Sequence, residues 1–240
     1  MQNIGFELVQ NKKIFFISNE LDTKKIVILS HGFRGSNIGP AREFVEFEAL
    51  LNLAGFSTLR FDQYGNGNSD GDHIDSSFNH WIEVISHFAN MYLDRGYQVI
   101  LLGQSMGATA TMATAAKDIF KDRIPCILLW VPDPKQNIQV NPDQVYEEAG
   151  QKYKGNFWLE AKNTKFYECL ETYKGGIHLV YGEKDVYVAE DVRQTVIAKV
   201  EEKKQPFMIL KGQGHSPWES AVAKRVYAAQ LQFIQQHVNS

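Results

Sequence analysis

Five residues, Gly103-Gln104-Ser105-Met106-Gly107, set a serine between two glycines where an apolar run ends and a helical pattern begins. A serine on a tight strand-to-helix turn is held in a strained backbone conformation with its hydroxyl exposed at the edge of a sheet. Side chains on either flank would collide with such a turn, which accounts for the glycines, and Ala108 and Ala110 extend the close packing. The helix that follows points unpaired N–H groups at the place where an attacked carbonyl oxygen would gather negative charge. The chemistry these residues fit is nucleophilic attack on a carbonyl.

A serine is a poor nucleophile without a base, and the base needs a carboxylate to orient it. His215 lies after the last strand pattern, in Gly212-Gln213-Gly214-His215-Ser216-Pro217-Trp218, where the glycines let the loop bend back over a sheet. Pro217 suits the first turn of a final helix. Of the other histidines, His80 and His87 fall in a helical pattern, His178 begins a strand, His237 is near the end and His73 is in a polar loop. Asp185 follows the strand pattern 177–181, and Val186-Tyr187-Val188 can anchor it while Glu183 and Lys184 stay solvated. Glu183 and Asp133 are the competing carboxylates. An oxyanion hole needs two backbone donors: the Met106 N–H, beside the nucleophile, and one from the loop His31-Gly32-Phe33-Arg34-Gly35, where Phe33 N–H is the candidate. His31 is expected to tie that loop down by hydrogen bonding. Arg34 either pins the loop or meets a substrate carboxylate or phosphate.

These groups need a frame. Strands are predicted over 6–9, 14–17, 26–30, 57–62, 99–103, 126–131, 177–181 and 207–210. Helices are predicted over 41–53, 78–94, 106–120, 190–200 and 220–237. Trp81, Ile82, Ile85, Phe88, Ala89 and Tyr92 recur at helical spacing, an apolar stripe for one face of a sheet. Unbroken runs such as Val99-Ile100-Leu101-Leu102 imply strands covered on both faces, hence parallel strands between helices. The expected fold is α/β: a doubly wound, mostly parallel eight-stranded sheet with an antiparallel leading edge. The connection after 126–131 is about twice as long as one crossover helix needs. Residues 166–170 can supply the crossover, which leaves 132–162 as an insertion overhanging the carboxyl ends of the strands, where open α/β sheets bind ligands. Tyr146, Tyr153, Phe157 and Trp158 within it either line an acyl or aryl pocket or form the insertion's own core.

The 240 residues are a length for one domain, 1–240, and 44% hydrophobic with 22% charged residues is ordinary for a globular protein. A net charge of −3 offers no field for nucleic acid or anionic lipid. The longest apolar run, 126–131, is far short of the ~20 residues of a bilayer span. Residues 1–7 lack the pattern of a secretory signal, and two cysteines, Cys126 and Cys169, make no disulfide framework, so a reduced, cytoplasmic protein is expected. Gly65-Asn66-Gly67 lacks the third glycine of a dinucleotide loop, and Asn66, Asn68 and Asp70 lack the first aspartate and closing glutamate of a calcium loop. Neither a metal nor a cofactor is expected.

Together the residues resemble the α/β-hydrolase superfamily, and within it the small serine esterases and lipases similar to monoacylglycerol lipases, lysophospholipases and cinnamoyl esterases. The resemblance covers nearly the whole chain. It rests on His31-Gly32-Phe33, on Arg60-Phe61-Asp62-Gln63-Tyr64-Gly65-Asn66-Gly67-Asn68-Ser69-Asp70-Gly71, on the serine turn, on Asp185 and on His215. It implies cleavage of a small-molecule ester through a Ser105–His215–Asp185 triad and an acyl-enzyme, with a cap in 132–162, the segment that departs most from the family pattern. A thioesterase or acyltransferase would use the same triad. A peptidase would need a cluster to bind an amino terminus, which the sequence does not offer, and a ligand-binding protein could keep the scaffold without the chemistry.

Overall fold

A strand without polar alternation must be covered on both faces, and the computed structural model, which describes residues 2–135 and 137–238, has this arrangement. In chain order the elements are β1 (Gln2–Val9), β2 (Lys12–Asn19), β3 (Lys25–Ser30), α1 (Glu43–Leu53), β4 (Ser57–Phe61), α2 (Phe78–Asp94), β5 (Gln98–Gln104), α3 (Met106–Ala115) and β6 (Cys126–Trp130). Then follow β7 (Val145–Glu148), β8 (Gln151–Lys154), α4 (Asn156–Asn163), α5 (Phe166–Thr172), β9 (Gly176–Gly182), α6 (Glu190–Glu202), β10 (Phe207–Leu210) and α7 (Ser220–His237). Eight strands form one sheet in the order β1-β2-β4-β3-β5-β6-β9-β10. β1 and β2 pair antiparallel, as do β2 and β4, and every later pair is parallel. The antiparallel leading edge and parallel body follow the sequence reading.

Helices cover the sheet on both sides. α1 packs with α7 on one face, while α2, α3, α5 and α6 adjoin in succession on the other. The α2 stripe is buried from Phe78 through Trp81, Ile85 and Phe88 to Tyr92. Ser77 caps that helix by accepting the His80 N–H at 3.4 Å. Under α1 and α7, Trp130 packs against Phe44, Phe47, Trp218 and Tyr227, and its indole N–H donates to Gln230 Oε1 at 2.7 Å. A buried aromatic cluster, with the Trp130 indole N–H satisfied at its centre, holds these helices to the sheet.

Outside the insertion, the departures from the sequence reading are at element ends. β1 and β2 run longer than predicted and meet at a two-residue turn, Gln10 and Asn11, both at positive φ, the geometry that matches strand twist. α1 begins at Glu43 because Arg42, at φ 70, breaks the helical path after a single 3₁₀ turn, Pro40–Arg42. α3 stops at Ala115, not 120: the next residues wind in separate turns that bury Phe120. At the sheet's front edge, β1 turns Ile4, Phe6 and Leu8 to solvent on one face, each more than half exposed.

Chain order reverses at β3, with β4 on one side and β5 on the other. The carboxyl ends of β3 and β5 are therefore neighbours, with Ser30 paired to Gly103, and the loops that leave them diverge over a crevice. Between β6 and β9 the chain forms the β7–β8 hairpin and then α4, and α5 is the crossover the sequence indicated. The hairpin turns at Ala149 and Gly150, again both at positive φ.

Candidate active site

Ser105 sits between β5 and α3 with φ 54 and ψ −122, outside the regions open to most L-residues. A Cβ on Gly107 would strike the carbonyl oxygens of Ser30 and His31, and one on Gly103 would strike the backbone of Gly107 and Ala108. The turn can be this sharp only because both positions lack a side chain. The Ser105 N–H donates to the Trp130 carbonyl at 2.8 Å, which hangs the turn on β6. Met106, the first residue of α3, belongs to the helix turn whose N–H groups have no intrahelical acceptor.

His215, in the loop between β10 and α7, presents its Nδ1 2.7 Å from Asp185 Oδ2. A carboxylate only accepts, so Nδ1 carries the proton and Nε2 is left with a free lone pair. Asp185 follows β9 and its side chain is 0% exposed. Its Oδ1 accepts the N–H groups of Tyr187 at 2.9 Å and Val188 at 3.1 Å. Burial alone would raise the Asp185 carboxyl, but the His215 hydrogen bond and charge, with the two amides, outweigh it and hold the group below its ordinary value. Anchoring of the loop comes from these amides and from buried Val188, whereas Val186 stays in solvent. The competing carboxylates are engaged elsewhere. Glu183 accepts the Gly212 N–H, and Asp133 is paired with Lys135.

The loop after β3 is fixed from behind. His31 donates from Nδ1 to the Gly32 carbonyl at 2.7 Å and accepts the Gln63 N–H on Nε2 at 2.9 Å. Complete burial holds it well below the usual histidine range, consistent with that neutral tautomer. Gly32 N–H donates to Gln104 Oε1 at 2.9 Å. Further back, Asp62 accepts the backbone and side-chain N–H groups of Asn37 and the Asn68 N–H. Arg60 joins Asn37 to Glu48 through a buried ion pair of 2.8 Å. The Gly65–Asp70 turn, whose residue types superficially resemble a calcium loop, is wrapped around Asp62. Among the described residues no group of three or more histidine, cysteine or acidic side chains is placed to hold a metal ion.

A cavity of about 660 Å³ opens above the crevice, and Ser105, Met106, Phe33 and His215 all line it. Arg34 lines it too, and is also tied to the hairpin, donating to the Glu148 carbonyl at 3.0 Å and to Glu148 Oε1 at 2.7 Å. Of the four aromatic residues expected in the insertion, Trp158 reaches the cavity wall. Phe157 is buried beneath it against Phe78, Trp81 and Phe33, while Tyr153 packs on Phe33 and Trp158 and stacks with Tyr146. Phe157 therefore anchors the insertion to the body of the protein, while half-buried Tyr146 and Tyr153 stack within the hairpin. Among the lining residues that sequence reasoning does not mark as wall are Lys135, lying over the Trp158 ring at 4.6 Å, and Tyr187, whose ring is 5.2 Å from that of His215. A lone lysine in a loop carries no pattern that could have marked it.

Solved structures of similar shape agree on the architecture. Est1E from Butyrivibrio proteoclasticus, determined with ferulic acid bound, matches with a TM-score of 0.84 over 97% of this chain and 98% of that one, at 21% identity. The alpha/beta hydrolase GrgF from Penicillium sp. sh18 matches with 0.80 over 99% of each chain at 16% identity. A monoacylglycerol lipase from Paleococcus ferrophilus matches with 0.77 over 94% of this chain and 99% of that one at 16% identity. This is the α/β-hydrolase fold. Residues 22–129 match the family described as serine aminopeptidase, S33, a stretch of the α/β-hydrolase fold that holds the β3 loop and Ser105 and ends before Asp185 and His215. No curated protein gives a significant sequence match.

Proposed function

We propose that the protein is a serine hydrolase that cleaves carboxylic esters through an acyl-enzyme intermediate. The observation that carries this reading is the strained Ser105 on the wall of one cavity with His215, whose Nδ1 is held by buried Asp185. His215 Nε2 takes the Ser105 proton as Oγ attacks the ester carbonyl, and the Phe33 and Met106 N–H groups receive the oxyanion. The imidazolium, stabilised by Asp185, gives its proton to the leaving alcohol. Water then enters, loses a proton to His215 and releases the acid, restoring Ser105.

Residues 132–162 act as a cap: Lys135, Glu148, Gln151 and Trp158 form the side of the cavity facing the catalytic loops. With Trp158, Phe33 and Met106 beside Arg34, Lys135 and Gln151, the cavity suits a short or aromatic acyl group on a polar alcohol better than a long alkyl chain. The S33 description raises an aminopeptidase as a second reading. Its difficulty is charge, because Glu148 and Asp133, the cavity carboxylates available for a peptide ammonium, are paired with Arg34 and Lys135. Free Cys126 and Cys169 suit a reducing compartment such as the cytoplasm.

The test is a panel of esters from acetyl to palmitoyl with hydroxycinnamoyl esters, an acyl thioester and an aminoacyl amide, run beside fluorophosphonate labelling. Wild type is expected to hydrolyse the short and aromatic esters and to label once. Ser105→Ala should lose both, a fall of about 10⁶ in turnover. Hydrolysis that persists in Ser105→Ala removes the mechanism, and preference for the amide or thioester renames the substrate.

A further inference from the structure

Glu43 opens α1 beside the histidine loop and has no role in the steps above. Its side chain is 3% exposed, yet no lysine, arginine or histidine among the described residues forms an ion pair with it. Instead Oε2 accepts the Ser216 hydroxyl at 3.1 Å and Oε1 accepts the Trp218 N–H at 2.9 Å. The Ser216 oxygen in turn accepts from Gln104 Nε2 at 3.5 Å, and Gln104 Oε1 accepts the Gly32 N–H at 2.9 Å. Each link abuts a catalytic group: Ser216 follows His215, Gln104 precedes Ser105, and Gly32 precedes Phe33. One polar chain therefore joins the three loops that must keep register for acyl transfer.

The direction of the protons makes the carboxylate the terminus of this chain. Gln104 donates to Ser216, so the single Ser216 proton must go on to an acceptor, and Glu43 supplies it. A protonated Glu43 presents a donor instead. Ser216 then receives two donors, and its own proton must turn to the cavity that it lines.

We propose that Glu43 is a positioning residue for ester hydrolysis: as a carboxylate it fixes the Ser216 hydroxyl and thereby holds the His215 loop against the nucleophile turn, and its protonation releases that hold. The inference rests on the ester-hydrolase reading. Burial pushes the Glu43 carboxyl up to about 7 against the lowering effect of the Trp218 and Ser216 hydrogen bonds, so the change falls within the working range of such an enzyme. The titratable groups around it are Glu46 on the same helix, Tyr227 on α7 and His215 one residue from Ser216, and the neighbouring Glu46 charge raises it further.

The experiment measures kcat and KM for p-nitrophenyl acetate from pH 5.5 to 8.5 in wild type, Glu43→Gln, Ser216→Ala and the double variant. Glutamine keeps the acceptor for Trp218 and permanently offers Ser216 a donor. Glu43→Gln is expected to match wild type near pH 5.5 and to lose about tenfold in kcat at pH 8.5 with KM unchanged, the cost of one hydrogen bond to a charged group. Ser216→Ala should lose activity over the same range, and the double variant should be no worse than either single one. A variant-to-wild-type ratio that is constant across pH, at one or at any other value, overturns the proposal, as does an additive double variant. Should Glu43→Gln fail to fold, a flat ratio for Ser216→Ala overturns it alone. A wild type inactive on every ester, or active without Ser105, sinks the hydrolase reading instead and is a separate result.

Discussion

Ser105 stores its strain in the backbone, so the hydroxyl can be removed with the strain or without it. At φ 54 and ψ −122 an L-residue pays of order 1–3 kcal/mol that glycine does not. Ser105→Gly and Ser105→Ala are both expected to be inactive, and the glycine variant to be more stable by about 1 kcal/mol in urea unfolding. Asp185→Asn should keep the fold and lose about 10⁴ in kcat, because an amide can hold the imidazole in the wrong tautomer. Glu43→Gln has a stability signature as well. A carboxyl raised to about 7 in the folded chain costs stability as pH climbs from 4.5 through 7, so the variant should gain up to roughly 3 kcal/mol over wild type at pH 8.5 and nothing at pH 4.5. The convergence of Ser105, Asp185 and His215 is legible in the sequence because each occupies a loop whose glycines or position at a strand's carboxyl end set it apart. Glu43 is not, since a glutamate opening a helix looks like an ordinary partner of the helix dipole until tertiary packing buries it.

At the level of elements, the loops around the site rest on two kinds of ion pair with different expected costs. Arg60 and Glu48 are both buried, so Arg60→Met leaves a carboxylate without its counter-ion and should cost about 3–5 kcal/mol in denaturant unfolding. Arg34 and Glu148 are 23% and 48% exposed, and Glu148→Gln should change stability by less than about 1 kcal/mol. Its effect belongs in KM, because the pair ties β7 to the loop that carries Phe33. The parallel strands are legible because their apolar runs have no other use. The β7–β8 hairpin is not: Val145-Tyr146-Glu147-Glu148 and Gln151-Lys152-Tyr153-Lys154 are short, half charged, and joined by Ala149-Gly150 rather than a strong turn signal. The same region hides the division of labour among its aromatics, since helical or strand spacing cannot say whether Trp158 or Phe157 faces a cavity.

Over the whole molecule, four histidines are held below their usual range chiefly by burial: His31, His73, His80 and His178. His73 and His178 are pushed down to about 4. Between that value and about 6.5 the unfolded chain binds protons that the folded chain refuses, so stability falls on acidification at about 1.4 kcal/mol per pH unit for each such proton. Melting temperature should therefore drop steeply from pH 6.5 to 4, and replacing His178 with glutamine should flatten the slope.

The outermost strand carries a cost of a different kind. β1 leaves one hydrogen-bonding edge open and sets Ile4, Phe6 and Leu8 beside it, with Glu7 as its one charge. Among the described residues of β1 only Glu7 can repel a second chain, and a net charge of −3 gives little long-range repulsion. Colloidal behaviour in concentrated solution is thus set at one edge of the sheet, away from the crevice over its middle strands, where a lysine in place of Phe6 would improve solubility without touching turnover.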